Sequence, residues 1–240
     1  MIPIFILTCD RLECLKKSLQ SYYDCIKTPF EIIVIDFGTT FTNTIDYINS
    51  LEENGTKVYR MDKIYKPSEL NMANNCIQDY FSTHIGSNYI VTDPDVELDR
   101  TNGDILDVYS YFLEANPAIN VVGPMLRIDD IPDWYPYKKG IMDGTMGLHK
   151  KFHSLPINKI IYNDNEIKYV SAPIDTTFGM YKMRDSWQRL RHGARVLSPY
   201  SARHLDWYIN FNDLTPDQEY YMNNSSDSIT NWSKLEKKYV

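Results

Sequence analysis

The stretch NYIVTDPDVEL, residues 88–98, decides how the chain reads. Its apolar run "YIV" has the character of a buried strand, and two carboxylates, Asp93 and Asp95, flank a proline directly after it. Like charges that close disfavour joint ionisation. Either something positive sits beside them or the stretch is only an acidic turn. Outward from this point the chain alternates. "IPIFILT" (2–8) and "FEIIVID" (30–36) are continuous apolar runs of the kind found in strands covered on both faces. "TKVYRM" reads as a third strand, and "NYIVTD" is the fourth. Between them "DRLECLKKSLQSYYDC" carries Leu12, Leu15, Leu19 and Tyr22 at helical spacing, and "NTIDYINSLEEN" reads as a helix closed by Gly55. "SELNMANNCIQDYF" reads as a helix with Ser68 as its N-cap, and "GDILDVYSYFLEAN" as another. Such alternation predicts a mostly parallel sheet with helices on both faces and ligands at the carboxyl ends of the strands. Thr8, Asp36 and Asp93 all end strands on that one edge.

Bulk properties narrow the function classes. The 240 residues are 43% hydrophobic and 24% charged, as in a soluble globular protein. A net charge of −7 argues against nucleic-acid binding through a basic face. Cys9, Cys14, Cys25 and Cys76 form no CxxC pair and no zinc spacing, so free thiols in a reducing compartment are expected. The N-terminal run lacks a basic leader region, and nothing approaches the roughly 20 apolar residues of a membrane span. A soluble, cytoplasmic protein is the expectation. Sequons at Asn223, Asn224 and Asn231 carry little weight without a secretory signal.

The second half is less regular. "INVVGPMLRI" is an expected strand, and 129–156 reads as long loops rich in Pro, Gly, Lys and aromatics. "KIIYNDNEIKYV" predicts a hairpin turning at "NDN", "TTFGMYKM" a strand, and "RDSWQRLRHG" a short helix closed by Gly193. The tail is polar and tyrosine-rich, with "NNSSDS" as a flexible break. No internal repeat or linker divides the chain.

A strand ending in "TCDR", a second ending in Asp, a helix carrying "ANN" and a strand ending in Asp-x-Asp together resemble a GT-A glycosyltransferase, family 2-like in style. "RIDDIPDWYP", "PIDTTFGMY" and "ARHLDWY" resemble segments of a small soluble subgroup of bacteria and large DNA viruses, whose members in a virus would work in the host cytoplasm. The resemblance implies an α/β GT-A fold, a Rossmann-like αβα sandwich whose mostly parallel central sheet is joined by a smaller mixed sheet. It implies a single catalytic domain over 1–216, with a nucleotide-sugar-binding half (1–100), an acceptor-binding half (101–216) and a C-terminal polar tail (217–240).

The resemblance also implies the chemistry. Charge grows on the leaving diphosphate as the sugar is transferred, and a divalent cation stabilises it. Carboxylates suit Mn²⁺ or Mg²⁺. Asp95 would bind the metal directly, Asp93 would reach the ribose or a metal-bound water, and His204 would complete the metal shell. Asp36 would accept from the uracil ring N–H, Thr8 would contact the base, and Arg11 would approach the diphosphate or ribose. Asn74 and Asn75 stand where family 2 helices carry Arg-Asn, and Asn75 keeps the nucleotide-sugar role. The family's late Glu-Asp pair is absent, which leaves Asp175 or Asp206 as general base. Asp129, Asp130, Trp134, Tyr135, Trp207 and Tyr208 are candidates to line the donor-sugar or acceptor pocket. Each residue has a plainer reading: acidic turn, helix cap, core aromatic or structural histidine.

The expected function is therefore metal-dependent transfer of a sugar from a nucleotide sugar, a UDP-sugar by the resemblance, to a glycan hydroxyl, with inversion. Two alternatives stay open. A sugar-1-phosphate nucleotidyltransferase needs a glycine-rich loop after the first strand, and "TCDRLECLKK" has no glycine. A non-catalytic nucleotide- or glycan-binding module would keep the fold without the reaction.

Overall fold

The computed structural model describes residues 1–86, 88–183, 185–226 and 232. The chain begins β1 (Ile2–Thr8), α1 (Leu12–Cys25), β2 (Phe30–Phe37), α2 (Thr42–Glu53) and β3 (Lys57–Met61). A 3-10 turn (Pro67–Met72) leads into α3 (Ala73–Thr83), followed by β4 (Tyr89–Thr92), β5 (Val96–Glu97), α4 (Ile105–Ala115) and β6 (Val121–Pro124). Two short helices come next, α5 (Lys138–Asp143) and α6 (His149–Phe152). Strands β7 (Asn158–Tyr162), β8 (Asn165–Ile174), β9 (Gly179–Tyr181), β10 (Arg191–Val196) and β11 (Arg203–His204) follow, then a 3-10 turn (Leu205–Tyr208) and α7 (Pro216–Asn224).

Nine strands form the main sheet in the order β3-β2-β1-β4-β9-β6-β10-β8-β7, and β11 pairs with β5 in a second, two-stranded sheet. Strands β3, β2, β1 and β4 are mutually parallel. Only β8 and β9 oppose the common direction among the described residues. The expected α/β architecture with a mostly parallel sheet is what the chain adopts.

The continuous apolar strands are buried on both faces because helices cover both. Ile4, Ile6, Ile32 and Val34 point to one side, where they meet Leu15 and Leu19 of α1, Ile48 of α2 and Tyr109 and Phe112 of α4. Phe5, Leu7, Ile33 and Ile35 point to the other, against Ala73, Cys76, Ile77 and Tyr80 of α3. Strand periodicity of two splits each run between two cores. Each fully buried aliphatic side chain contributes about 1.5–3 kcal/mol.

Four local expectations need correction. Residues 191–196 are the strand β10, not the end of a helix. Gly193 lies between β6 and β8, and a Cβ there would come 2.1 Å from the Val121 carbonyl oxygen, so close strand packing rather than helix termination requires the glycine. Ser68 does not cap α3; the turn begins at Pro67, and the Glu69 carboxylate accepts the N–H groups of Tyr65 and Lys66 at 2.7 and 3.1 Å. The region read as loops contains α5 and α6. The tail starts as a helix: Pro216 is its first residue, and the Thr215 N–H donates to Gln218 Oε1 at 2.9 Å. Helix α7 runs through Asn223 and Asn224 into the expected break, whereas Asn231 and the last eight residues lie outside the described residues. The hairpin turn falls where expected, with Asn163 and Asp164 both at positive φ (46° and 61°), the pattern of a two-residue type I′ turn.

All four cysteines are free, and burial pushes the Cys9 and Cys14 thiols up to about 12. No helix among the described residues is long and apolar enough to cross a membrane.

Candidate active site

A cavity of about 390 Å³ opens at the carboxyl ends of β1 and β4. Thr8, Arg11, Asp93, Asp95, Asp175, His204 and Asp206 all line it. Residues more than a hundred positions apart thus converge on one edge of the sheet, where parallel strands deliver their ends.

The acidic centre is built by short-range geometry. Pro94 takes the chain out of the sheet after β4, and its carbonyl accepts the Ser18 hydroxyl of α1 at 2.8 Å. Strand β5 then pairs with β11, opposing Val96 to His204. This two-stranded sheet sets His204 Nε2 3.7 Å from Asp95 Oδ2. The Leu205 N–H donates to the Asp95 carbonyl at 2.7 Å, which carries Asp206 to the same place. One ligand atom each from Asp95, His204 and Asp206 lies within 4.8 Å of the others. Trp207, fully buried, stacks on the His204 ring at 5.1 Å and 18°.

Arg11 enters this cluster from the start of α1. Its guanidinium donates to Asp95 Oδ2 at 2.8 Å and to Asp206 Oδ1. It lies 5.0 Å from the centre of the Tyr221 ring of α7. Asp217 of the same helix is buried and accepts the Glu13 N–H at 3.1 Å, which docks α7 on α1.

The two carboxylates of the Asp-x-Asp element are driven apart. Burial and the charge of Asp95 hold Asp93 well above the usual carboxylate range, although the Thr176 hydroxyl donates to it. Burial alone would raise Asp95 too, but His204 and Arg11 outweigh it and hold it below that range. Burial raises Asp206, against the opposing pull of Arg11. One member of the pair thus favours the proton and the other the charge.

The donor set fits a divalent cation. Asp95 Oδ1 and His204 Nδ1 are both buried without a hydrogen-bond partner. Two carboxylates and an imidazole are oxygen and nitrogen donors acceptable to Mn²⁺. Thr8 Oγ1, of the same cavity lining, is likewise buried and unpartnered.

Asp175 lies beyond Asp93 on the cavity wall, its carboxylate bound by Arg189 through two bonds of 2.8 Å. The remaining candidates stand outside the cavity lining. Asp36 is buried at the end of β2, accepts the Thr39 N–H at 3.0 Å, and is raised by burial. Asn75 is exposed on α3; its neighbour Asn74 instead exchanges bonds of 2.9 and 3.0 Å with the Trp187 backbone. Asp130 accepts from Arg203 at 2.9 Å and from the Tyr208 hydroxyl, which ties the second sheet to the loop after β6. Trp134 is 63% exposed, Tyr135 is core, and Trp207 acts behind His204 rather than at the wall.

Lys63, His149, Arg189, Arg195, Tyr221 and Trp232 also line the cavity and carried no role in the sequence reading. Only Tyr221 had a usable signal: Thr215-Pro-Asp-Gln218 is a helix start.

No family model matches the chain, and no curated protein matches it. Solved structures to which the chain is similar include the mannosyltransferase PcManGT from Pyrobaculum calidifontis in complex with GDP-Man and Mn²⁺, at 17% identity and TM-score 0.41 over 54% of this chain and 36% of that one. S. aureus TarS 1–349 aligns at 12% identity and TM-score 0.43, over 76% of this chain and 47% of that one. GalNAc-T7 with UDP, GalNAc and Mn²⁺ aligns at 15% identity and TM-score 0.40, over 52% of this chain and 23% of that one. The chain thus spans less than half the length of each of these three structures.

Proposed function

We propose that this chain is a metal-dependent GT-A glycosyltransferase that moves a sugar from a UDP-sugar to a hydroxyl of a glycan acceptor, with inversion. The observation that carries the reading is the gathering of one ligand atom each from Asp95, His204 and Asp206 within 4.8 Å at the carboxyl-end edge of the sheet. These three residues would hold a divalent cation, which would supply charge stabilisation to the departing diphosphate. Arg11, already beside the cluster, is placed to meet the same diphosphate with a second positive charge. Asp93, whose carboxyl is held above the usual range by burial and by the charge of Asp95, is suited to a hydrogen bond with the ribose. The unpartnered Thr8 hydroxyl belongs to a residue of the same cavity lining and is suited to contact the base.

Asp175 is the general base in this reading. It is the more accessible of the two candidates, with its side chain 28% exposed against 2% for Asp206. Arg189 fixes its orientation, and it takes the proton from the acceptor hydroxyl as that oxygen attacks the sugar. Asp206, bonded to Arg11 within the cluster, belongs to the metal side.

The test is a screen of UDP- and GDP-sugars for hydrolysis with Mn²⁺. At least one UDP-sugar should release UDP. Asp95→Ala should lower that rate by about a hundredfold or more, the usual scale for losing charge stabilisation at a leaving group. No turnover of any nucleotide sugar, or full activity in Asp95→Ala, contradicts the reading.

A further inference from the structure

One end of the cavity carries a buried positive charge that no ion pair neutralises among the described residues. Arg195 of β10 is 2% exposed and lines the wall. Its Nε donates to the Pro173 carbonyl at 2.8 Å, and its Nη1 to the Pro124 carbonyl at 3.1 Å and to Thr177 Oγ1 at 3.4 Å. Its guanidinium sits 5.0 Å from the centre of the Phe152 ring. All of these partners are neutral. Among the described residues Arg195 forms no ion pair, and Asp175, the acidic residue on that wall, is already taken by Arg189 at 2.8 Å. Arg189 and Asp175 cancel, so one buried positive charge remains. A buried charge without a counter-ion is costly, and proteins normally pair it.

A second observation points the same way. His149 of α6 lines the same wall, and its Nδ1 is buried without a partner. Its ring packs edge-on against Trp207 at 4.6 Å. Burial, with Arg195 adding to it, holds His149 well below the ordinary imidazole range, so the ring is neutral and offers one N–H. An unneutralised guanidinium and an unpartnered imidazole nitrogen on one cavity wall are suited to receive an anion.

We infer that the substrate group bound at this end is anionic, a carboxylate or phosphate received by Arg195 and His149. The inference rests on the sugar-transfer reading and specifies its substrate class: either the donated sugar is a uronate, or the acceptor carries a carboxylate or phosphate. The acidic rim at Asp93, Asp95 and Asp206 serves the nucleotide, and the basic wall sorts what is joined to it.

Calorimetry on the full chain with Mn²⁺ tests this in two arms, once UDP and GDP have been titrated. In the first arm UDP-glucuronate is compared with UDP-glucose, or GDP-mannuronate with GDP-mannose if guanine is the base bound. In the second, nucleotide-loaded protein is titrated with methyl glucuronide, glucose 6-phosphate and methyl glucoside. The acidic member should bind at least about tenfold tighter in one arm, the scale of a charge-assisted hydrogen bond. Arg195→Met should erase that preference and Arg195→Lys should keep most of it. Because losing a buried arginine can unfold the chain, the wild-type comparison decides the matter by itself. Equal affinity for acidic and neutral ligands in both arms, with the nucleotide still bound, overturns this inference alone. Failure of both UDP and GDP to bind overturns the transferase reading and the inference with it.

Discussion

Arg11 donates to Asp95 at 2.8 Å and also to Asp206, so the chain places its own cation between the two carboxylates of the candidate metal cluster. Asp95, after the end of β4, and Asp206 therefore have a positive partner before any ligand arrives, whereas the Asp93 carboxylate has, among the described residues, only the Thr176 hydroxyl. A bound metal and the guanidinium contend for the same oxygens.

Arg11→Met should consequently separate stability from metal affinity. Breaking a buried pair by removing one partner costs about 3–5 kcal/mol. Denaturant unfolding in EDTA should show a loss of that order. Mn²⁺ should restore much of it, and Mn²⁺ should bind the variant more tightly than the wild type. Equal stability in EDTA would show that the pair contributes nothing.

Asp93→Asn should stabilise the fold while impairing function. The folded pKa of Asp93 is raised above its ordinary 3.8 by burial and by Asp95. A raised carboxyl contributes stability that is fully present below the unfolded value and lost as pH rises through the folded value. As pH rises towards neutrality the wild type therefore loses this contribution, and the amide, which does not titrate, loses nothing. Thermal melts in EDTA across pH should show the variant more stable near neutrality and the difference vanishing below about pH 4. An advantage independent of pH would contradict this.

His204→Ala should lower Mn²⁺ affinity by at least about tenfold, since an imidazole ligand is lost outright. Trp207 stacks on that ring, so metal binding should also perturb tryptophan fluorescence in the wild type and not in the variant.

The two base candidates divide by kinetics. Asp175→Asn should reduce kcat by about 10²–10⁴, the range for a general base, with Mn²⁺ affinity unchanged. Asp206→Asn should instead weaken Mn²⁺ binding and regain part of its activity at saturating metal. The reverse pattern would move the base to Asp206.

Much of this was legible in the sequence where physics is local. The apolar runs of β1, β2 and β4 announce strands buried on both faces, and strand ends in an α/β sheet announce the site. Thr8, Asp93, Asp95, His204 and Asp206 do line one cavity. Long-range pairing was not legible. Asp130 is drawn to Arg203 and Tyr208, and Trp134 stays in solvent. Strand β10 misleads because its polar Arg191, His192 and Arg195 mask the strand pattern, while Gly193 imitates a helix stop. Arg195 is charged and buried, and no periodicity of apolar residues reveals such a residue. The resemblance has Arg11 approach the diphosphate or ribose, and only the fold puts it across Asp95 and Asp206.

The most direct test is an anomalous difference map at the manganese edge, from crystals grown with UDP and Mn²⁺. The account predicts one strong peak bounded by Asp95, His204 and Asp206, with the Arg11 guanidinium turned away from both carboxylates. Density showing UDP bound with no peak there, and Arg11 still bridging Asp95 and Asp206, would contradict it.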